Sequence, residues 1–169
     1  MSKVYVGYDG YGLRDVDEEF IHFIFDVVIG MTKLSPDLEA GLILATGKQM
    51  QELNRKYRGK DVPANILSFA YRESDVLFKK MKDDKYLGDI YISHPQLIAQ
   101  AKDSGISEKD EFVRLFVHGL LHLAGIHHSN KAEADRMEAL EDKIVAEINS
   151  IWQPRTAPYR KTGYTLLLR

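Results

Sequence analysis

The sequence predicts a small α+β domain, in which a mixed β-sheet of about four strands is covered by about five helices. Three observations carry that reading. Several segments repeat apolar residues at helical spacing, short aromatic or β-branched runs separate them, and the two kinds follow one another in mixed order. Residues 3–8 (KVYVGY) read as the first strand. From Val16 to about Lys33, the residues Phe20, Phe23, Ile24, Val27, Val28 and Met31 share one apolar face, so this is an amphipathic helix, and Pro36 lies just beyond it. Residues 39–45 (EAGLILA) form the next strand. Thr46 with Gln49 three residues later is a capping box that opens a helix to about Arg58, with Met50, Leu53 and Tyr57 as its buried stripe. Residues 66–71 (ILSFAY) and 87–92 (LGDIYI) are further strands, joined by a polar loop. His94-Pro95 starts a short helix to about Asp103, proline being suited to a first helical turn. Ser107 with Asp110 caps a strongly apolar helix to about Ala124, which Gly125 ends by taking the left-handed conformation. Asn130 with Glu133 caps the last helix, to about Asn149. Phe112, Leu115, Phe116, Leu120 and Leu123 are core candidates. From about residue 151 a tail carries four basic residues and no acidic one.

At 169 residues the chain reads as one domain, 1–169, long enough to bury roughly 70% of the surface its unfolded form exposes. With 44% hydrophobic and 28% charged residues and no low-complexity tract, it is neither disordered, collagen-like nor a coiled coil. The absence of cysteine excludes a disulfide framework, a thiolate zinc finger and a cysteine nucleophile, and it suits a reducing cytosol. A net charge of −2 gives no global positive field, so a nucleic-acid partner has to be held by a local patch. The N-terminal residues lack the order of a signal peptide. The most apolar stretch, Phe20 to Met31, is broken by His22 and Asp26 and falls short of the ~18 residues of a membrane span. A cytoplasmic protein is expected.

The chemistry concentrates in residues 118–128. His118 and His122 are four apart, ~40° from each other on one helix face, so their imidazoles can converge on one ion at ~2.0–2.1 Å. Gly125 can turn the chain back and deliver His128 as a third ligand from outside the helix. The spacing matches the H-E-x-x-H-x-x-G-x-x-H layout of the metzincin proteases. Where those carry the glutamate that acts as general base, this chain carries Gly119. Three protein ligands on zinc leave the fourth position for water or substrate, the pattern of a catalytic rather than a structural site. A four-coordinate site that also uses His127 stays open, although neighbouring residues rarely reach one ion, which leaves His127 beside the ligands.

Between Lys48 and Lys60 stand Lys48, Arg55, Lys56, Arg58 and Lys60 against the single acid Glu52. Guanidinium forks match phosphate oxygens, yet on spacing alone a solvated helix face is the commoner meaning of such a run. In Leu87-Gly88-Asp89-Ile90 the glycine marks a close backbone approach. The aspartate reads as a strand-end hydrogen-bonding group or, without support from spacing, a catalytic carboxylate.

Residues 118–128 resemble the H-G-x-L-H-L-x-G-x-D-H signature of the YbeY endoribonucleases, bacterial enzymes of ribosomal RNA maturation. Leu53-Asn54-Arg55-Lys56-Tyr57-Arg58, followed by Asp61, Pro63 and Leu67-Ser68-Phe69, resembles that family's second motif, and Leu87-Gly88-Asp89-Ile90 its third. The three motifs come in the family's order and span about half the chain. The resemblance implies a small α+β domain with one zinc ion on His118, His122 and His128, and a key arginine that falls on Arg58. It also implies cleavage of single-stranded RNA, in ribosomal RNA 3′-end maturation and ribosome quality control. Two positions depart from the pattern: His127 stands for the family's aspartate, and Ala64-Asn65 for its Thr-Asp.

The expected activity is thus a zinc-dependent endoribonuclease, with Arg58 stabilising charge at the scissile phosphate, and Arg55 and the basic tail gripping the flanking backbone. Its partners would be ribosomal RNA and the ribosome or its proteins, with neither membrane nor DNA. Two rivals stand beside it. One is a metal-dependent hydrolase of peptides or small molecules, favoured by the metzincin spacing and disfavoured by Gly119. The other is a non-catalytic ribosome-assembly factor that uses zinc for rigidity.

Overall fold

A computed structural model describes residues 2–9, 12–71 and 85–153. Most of the polar loop expected before Lys85, and the tail from residue 154 on, lie outside the described residues.

The elements follow the predicted order and types: β1 (Lys3–Tyr8), α1 (Glu18–Thr32), β2 (Glu39–Ala45), α2 (Gly47–Arg58), β3 (Ile66–Ala70), β4 (Tyr86–Ser93), α3 (His94–Ser104), α4 (Glu108–Leu123) and α5 (Lys131–Ile151). Polar side chains start the helices by accepting a backbone N–H that the helix itself leaves unpaired. Thr46 accepts from Gln49 (3.2 Å), Ser107 from Asp110 (3.0 Å) and Asn130 from Glu133 (2.9 Å), as their spacing predicts. Asp17, not expected from the sequence pattern, does the same for α1 by accepting from Phe20 at 2.8 Å.

The strands form one mixed sheet in the order β1-β2-β4-β3. β1 runs parallel to β2 and β2 to β4, whereas β3 pairs antiparallel with β4 and forms one edge. On one face, α1, α4 and α5 bury the main core, in which Phe20, Ile24, Leu42, Ile90, Phe116, Leu120 and Ile144 are fully enclosed. Trp152 closes that core beyond α5, its ring 4.8 Å from Phe20 and 5.0 Å from Phe23. The five core candidates on α4 are all buried. On the other face, α2 sets Met50 against Ala45 and Leu67. The α+β class is therefore correct, with four strands and five helices among the described residues. None of those helices is long and apolar enough to cross a membrane.

Two local expectations need correction. Tyr57 does not belong to the buried stripe of α2, because it lies at the helix end and is 56% exposed. Its ring stands edge-on to Phe69 at 4.9 Å with Lys56 over it. The buried place is taken by Asn54, whose amide donates to the Val62 carbonyl at 2.8 Å and ties down the chain after the helix. Nor is Asp89 at a strand end. It sits mid-strand and accepts from the Tyr86 hydroxyl at 2.5 Å, in space left by Gly41, whose added Cβ would lie 2.0 Å from Asp89 Oδ1. Burial and this hydrogen bond push the Tyr86 hydroxyl pKa far up.

Gly88 does mark a close approach: its φ is 139°, and a Cβ there would stand 2.1 Å from the Phe69 carbonyl oxygen across the β3–β4 pair. Backbone strain and overpacking each cost about 1–3 kcal/mol. Gly88→Ala is therefore expected to destabilise the fold by roughly 2–6 kcal/mol, read as a lower denaturation midpoint in urea.

Candidate metal centre

Helix α4 lies on β3 and β4 through Gly119, where a Cβ would already touch Ile90 and Ile66 side chains at 3.0–3.1 Å. A glutamate at that position would have to enter the packed core. The base of the metzincin layout thus has no room here.

With Gly119 against the sheet, His118 and His122 line a cleft of about 470 Å³ on another side of α4. The helix ends one residue later, and the Gly125 N–H donates to the His122 carbonyl (3.0 Å) with Gly125 at φ 85°. Ile126 donates to Leu121 (3.0 Å) and packs on the core, which turns the chain back as the glycine predicts. Past the turn, the backbone N–H and hydroxyl of Ser129 both donate to Glu133 Oε2, at 2.8 and 2.6 Å. His128 is thereby fixed between two anchored turns.

The result is a compact trio. Each of His118, His122 and His128 offers one ring nitrogen, and these atoms all lie within 4.8 Å of one another. The Nε2 atoms of His118 and His122 are 2.9 Å apart. Two tetrahedral ligands of one zinc ion stand about 3.3 Å apart, so small ring movements suffice to admit it. Glu141 on α5 accepts from His118 Nδ1 at 2.6 Å. That bond puts a proton on Nδ1 and turns Nε2 toward the other rings. Burial first, then repulsion from the neighbouring histidines, lowers His122 to a pKa of about 4, so at neutral pH its ring is an uncharged donor. Three imidazoles whose ring nitrogens converge are the chemistry of a site for zinc or another imidazole-favouring divalent ion. The donor set fits such an ion.

His127 stays outside the trio and packs on His122, with ring centroids 5.3 Å apart and Nδ1 atoms at 3.1 Å. Arg58 does reach the cleft, from the C-terminal end of α2. Arg55 is exposed on the same helix and does not line it. Asp89 is likewise absent from the cleft wall. Asn65 and Ser68 bring polar groups from β3 and the turn before it. Asn65 is also committed to structure, its Oδ1 accepting from the Ile66 N–H (2.8 Å) and its amide donating to Gln100 (3.2 Å). Two cleft residues had not been singled out in the sequence, Arg114 and Glu141. Arg114 precedes His118 by four and shares its helix face, so the same spacing argument could have found it. Nothing local to Glu141 signals its partner 23 residues away.

The family profile for Endoribonuclease YbeY matches residues 13–149. The chain belongs to the endoribonuclease YbeY family. Among its curated relatives, Endoribonuclease YbeY of Roseiflexus sp. (strain RS-1) is 38% identical over 133 residues, 77% of this chain and 82% of that protein. Endoribonuclease YbeY of Persephonella marina (strain DSM 14350 / EX-H1) is 31% identical over 146 residues, 86% of this chain and 92% of the other. The solution structure of TM1509 from Thermotoga maritima shares the fold, with a TM-score of 0.61 at 22% identity, covering 96% of this chain and 99% of that one. The carboxylate that touches the trio comes from α5, as Glu141 against His118.

Two outcomes check this geometry. Unfolded His122 takes a proton near pH 6.5, and the folded residue takes it only near 4. Between those values the unfolded state holds more protons, so the metal-stripped protein loses stability as pH falls through that window. Thermal unfolding in EDTA reads this loss, which should shrink in His122→Gln. Glu141→Ala is expected to weaken zinc binding by about 10–100-fold in a chelator competition, with Glu141→Gln intermediate because its amide oxygen still accepts.

Proposed function

We propose that this YbeY-family chain is a zinc-dependent endoribonuclease that cuts single-stranded RNA. The observation that carries the reading is the juxtaposition, in one open cleft, of the His118–His122–His128 trio and the Arg58 guanidinium. The relatives' names supply the class of reaction. A zinc ion held by the trio supplies a Lewis acid for a phosphoryl oxygen and a water of pKa near 7.

The remaining roles fall to this chain's own groups. Glu141 keeps the His118 proton on Nδ1 and thus the ligand tautomer. Arg58 brings a charged fork to where negative charge grows on the non-bridging oxygens, and among the described residues no carboxylate neutralises it. The Asn65 and Ser68 side chains give the cleft floor neutral polar groups. Arg55, exposed on the same helix outside the cleft, takes the flanking backbone in this reading. A cleft bordered by an edge strand and exposed arginines suits an unpaired strand better than the deep groove of an A-form duplex.

Ribosomal RNA 3′-end maturation, ribosome quality control, contact with the ribosome and a cytoplasmic setting complete the proposal, and they rest on the family resemblance. The peptide-hydrolase reading finds no support in the cleft, because the position of its general base is packed against Ile90.

Zinc-loaded protein is expected to cut a single-stranded RNA internally, to stop in EDTA and to recover when zinc is restored. Arg58→Ala should lower kcat by about 10²–10³ with the zinc content unchanged. Absence of cleavage by the fully loaded wild type, on single strands of varied sequence, overturns the proposal.

A further inference from the structure

Two arginines enter the cleft from helices on opposite faces of the sheet. Arg58 comes from the end of α2, and Arg114 from α4 one turn ahead of His118. The second is held in an unusual way. Its Nε donates to Glu111 Oε2 at 3.2 Å, and the Glu111 side chain is only 4% exposed whereas that of Arg114 is 62% exposed. A carboxylate taken out of water on a helix flanked by buried Phe112 and Val113 is costly unless paired. An arginine needed only to neutralise it would be buried beside it. Here the guanidinium lies open along the cleft instead. One of its five N–H donors is spent on Glu111, and among the described residues no other acceptor engages the remaining four. Glu141, the one carboxylate lining the same cleft among the described residues, is committed to His118.

We propose that Arg114, aimed by the buried Glu111, is a second phosphate-binding residue that takes a backbone phosphate of single-stranded RNA adjoining the one at Arg58. The inference rests on the endoribonuclease reading and adds to it a substrate contact and its support. Two guanidinium forks in one cleft suit a ligand with successive backbone phosphates, as in a polynucleotide strand, rather than a nucleoside monophosphate.

The test is the salt dependence of binding, since each phosphate contact on a single strand contributes about 0.7 to the slope of log affinity against log salt. Zinc-loaded protein is titrated, by fluorescence anisotropy at several potassium chloride concentrations, with a fluorescein-labelled 2′-O-methyl oligouridylate. The double variant Glu111→Gln/Arg114→Gln removes the pair without stranding a buried charge, and its thermal unfolding checks the fold. It is expected to bind about tenfold more weakly, with a slope shallower by about 0.7. Arg114→Lys, which keeps charge but loses the fork, should keep the slope and lose part of the affinity. Glu111→Gln should do the same, because the charge stays but its aim is lost. If the wild type binds while the double variant and Arg114→Gln alone keep its affinity and slope, Arg114 touches no phosphate and the inference is overturned. A wild type that binds no RNA overturns the proposed function instead.

Discussion

The arrangement depends on how closely α4 lies against β3 and β4. A helix that must both seal a core and present two imidazoles to solvent needs a fixed rotation about its own axis. Gly119 provides it, because only a residue without a side chain lets the helix settle onto Ile66 and Ile90. Once the helix rests there, the phase of its 3.6-residue turn places Arg114, His118 and His122 along one cleft. A bulkier residue would lift or roll the helix and carry all three away together. The core and the candidate metal centre are therefore one packing problem.

The third histidine illustrates a different kind of constraint. It belongs to a short connection, where side chains are ordinarily less fixed than on a helix. Hydrogen bonds at both ends supply the missing order, through the Gly125 turn on one side and the Ser129–Glu133 contacts on the other. Burial adds an electrostatic condition at His122: with the other rings beside it, its pKa falls to about 4, which keeps its own lone pair available at neutral pH.

What could be read in the sequence was what depends on short spacing. The i, i+4 histidines, the glycine turn and the caps at Thr46, Ser107 and Asn130 all follow from local geometry, and the structure places them as expected. Tyr57 was misjudged because helical periodicity assumes that the covering surface continues to the helix end, and here it stops short. Glu141 escaped notice because its meaning arises only when α5 folds back on α4. Spacing gave Asp89 no support as a catalytic carboxylate, and its strand turns it to the face away from α4, beside Tyr86 and Gly41.

That same back face carries a consequence for how the chain can vary. The Asp89 carboxylate and the Tyr86 hydroxyl occupy the volume beside the Gly41 backbone, 2.0 and 2.7 Å from where a methyl group would stand. Any side chain at position 41 has to displace both the Asp89 carboxylate and the Tyr86 hydroxyl, so positions 41, 86 and 89 on two neighbouring strands are tied to vary as a set.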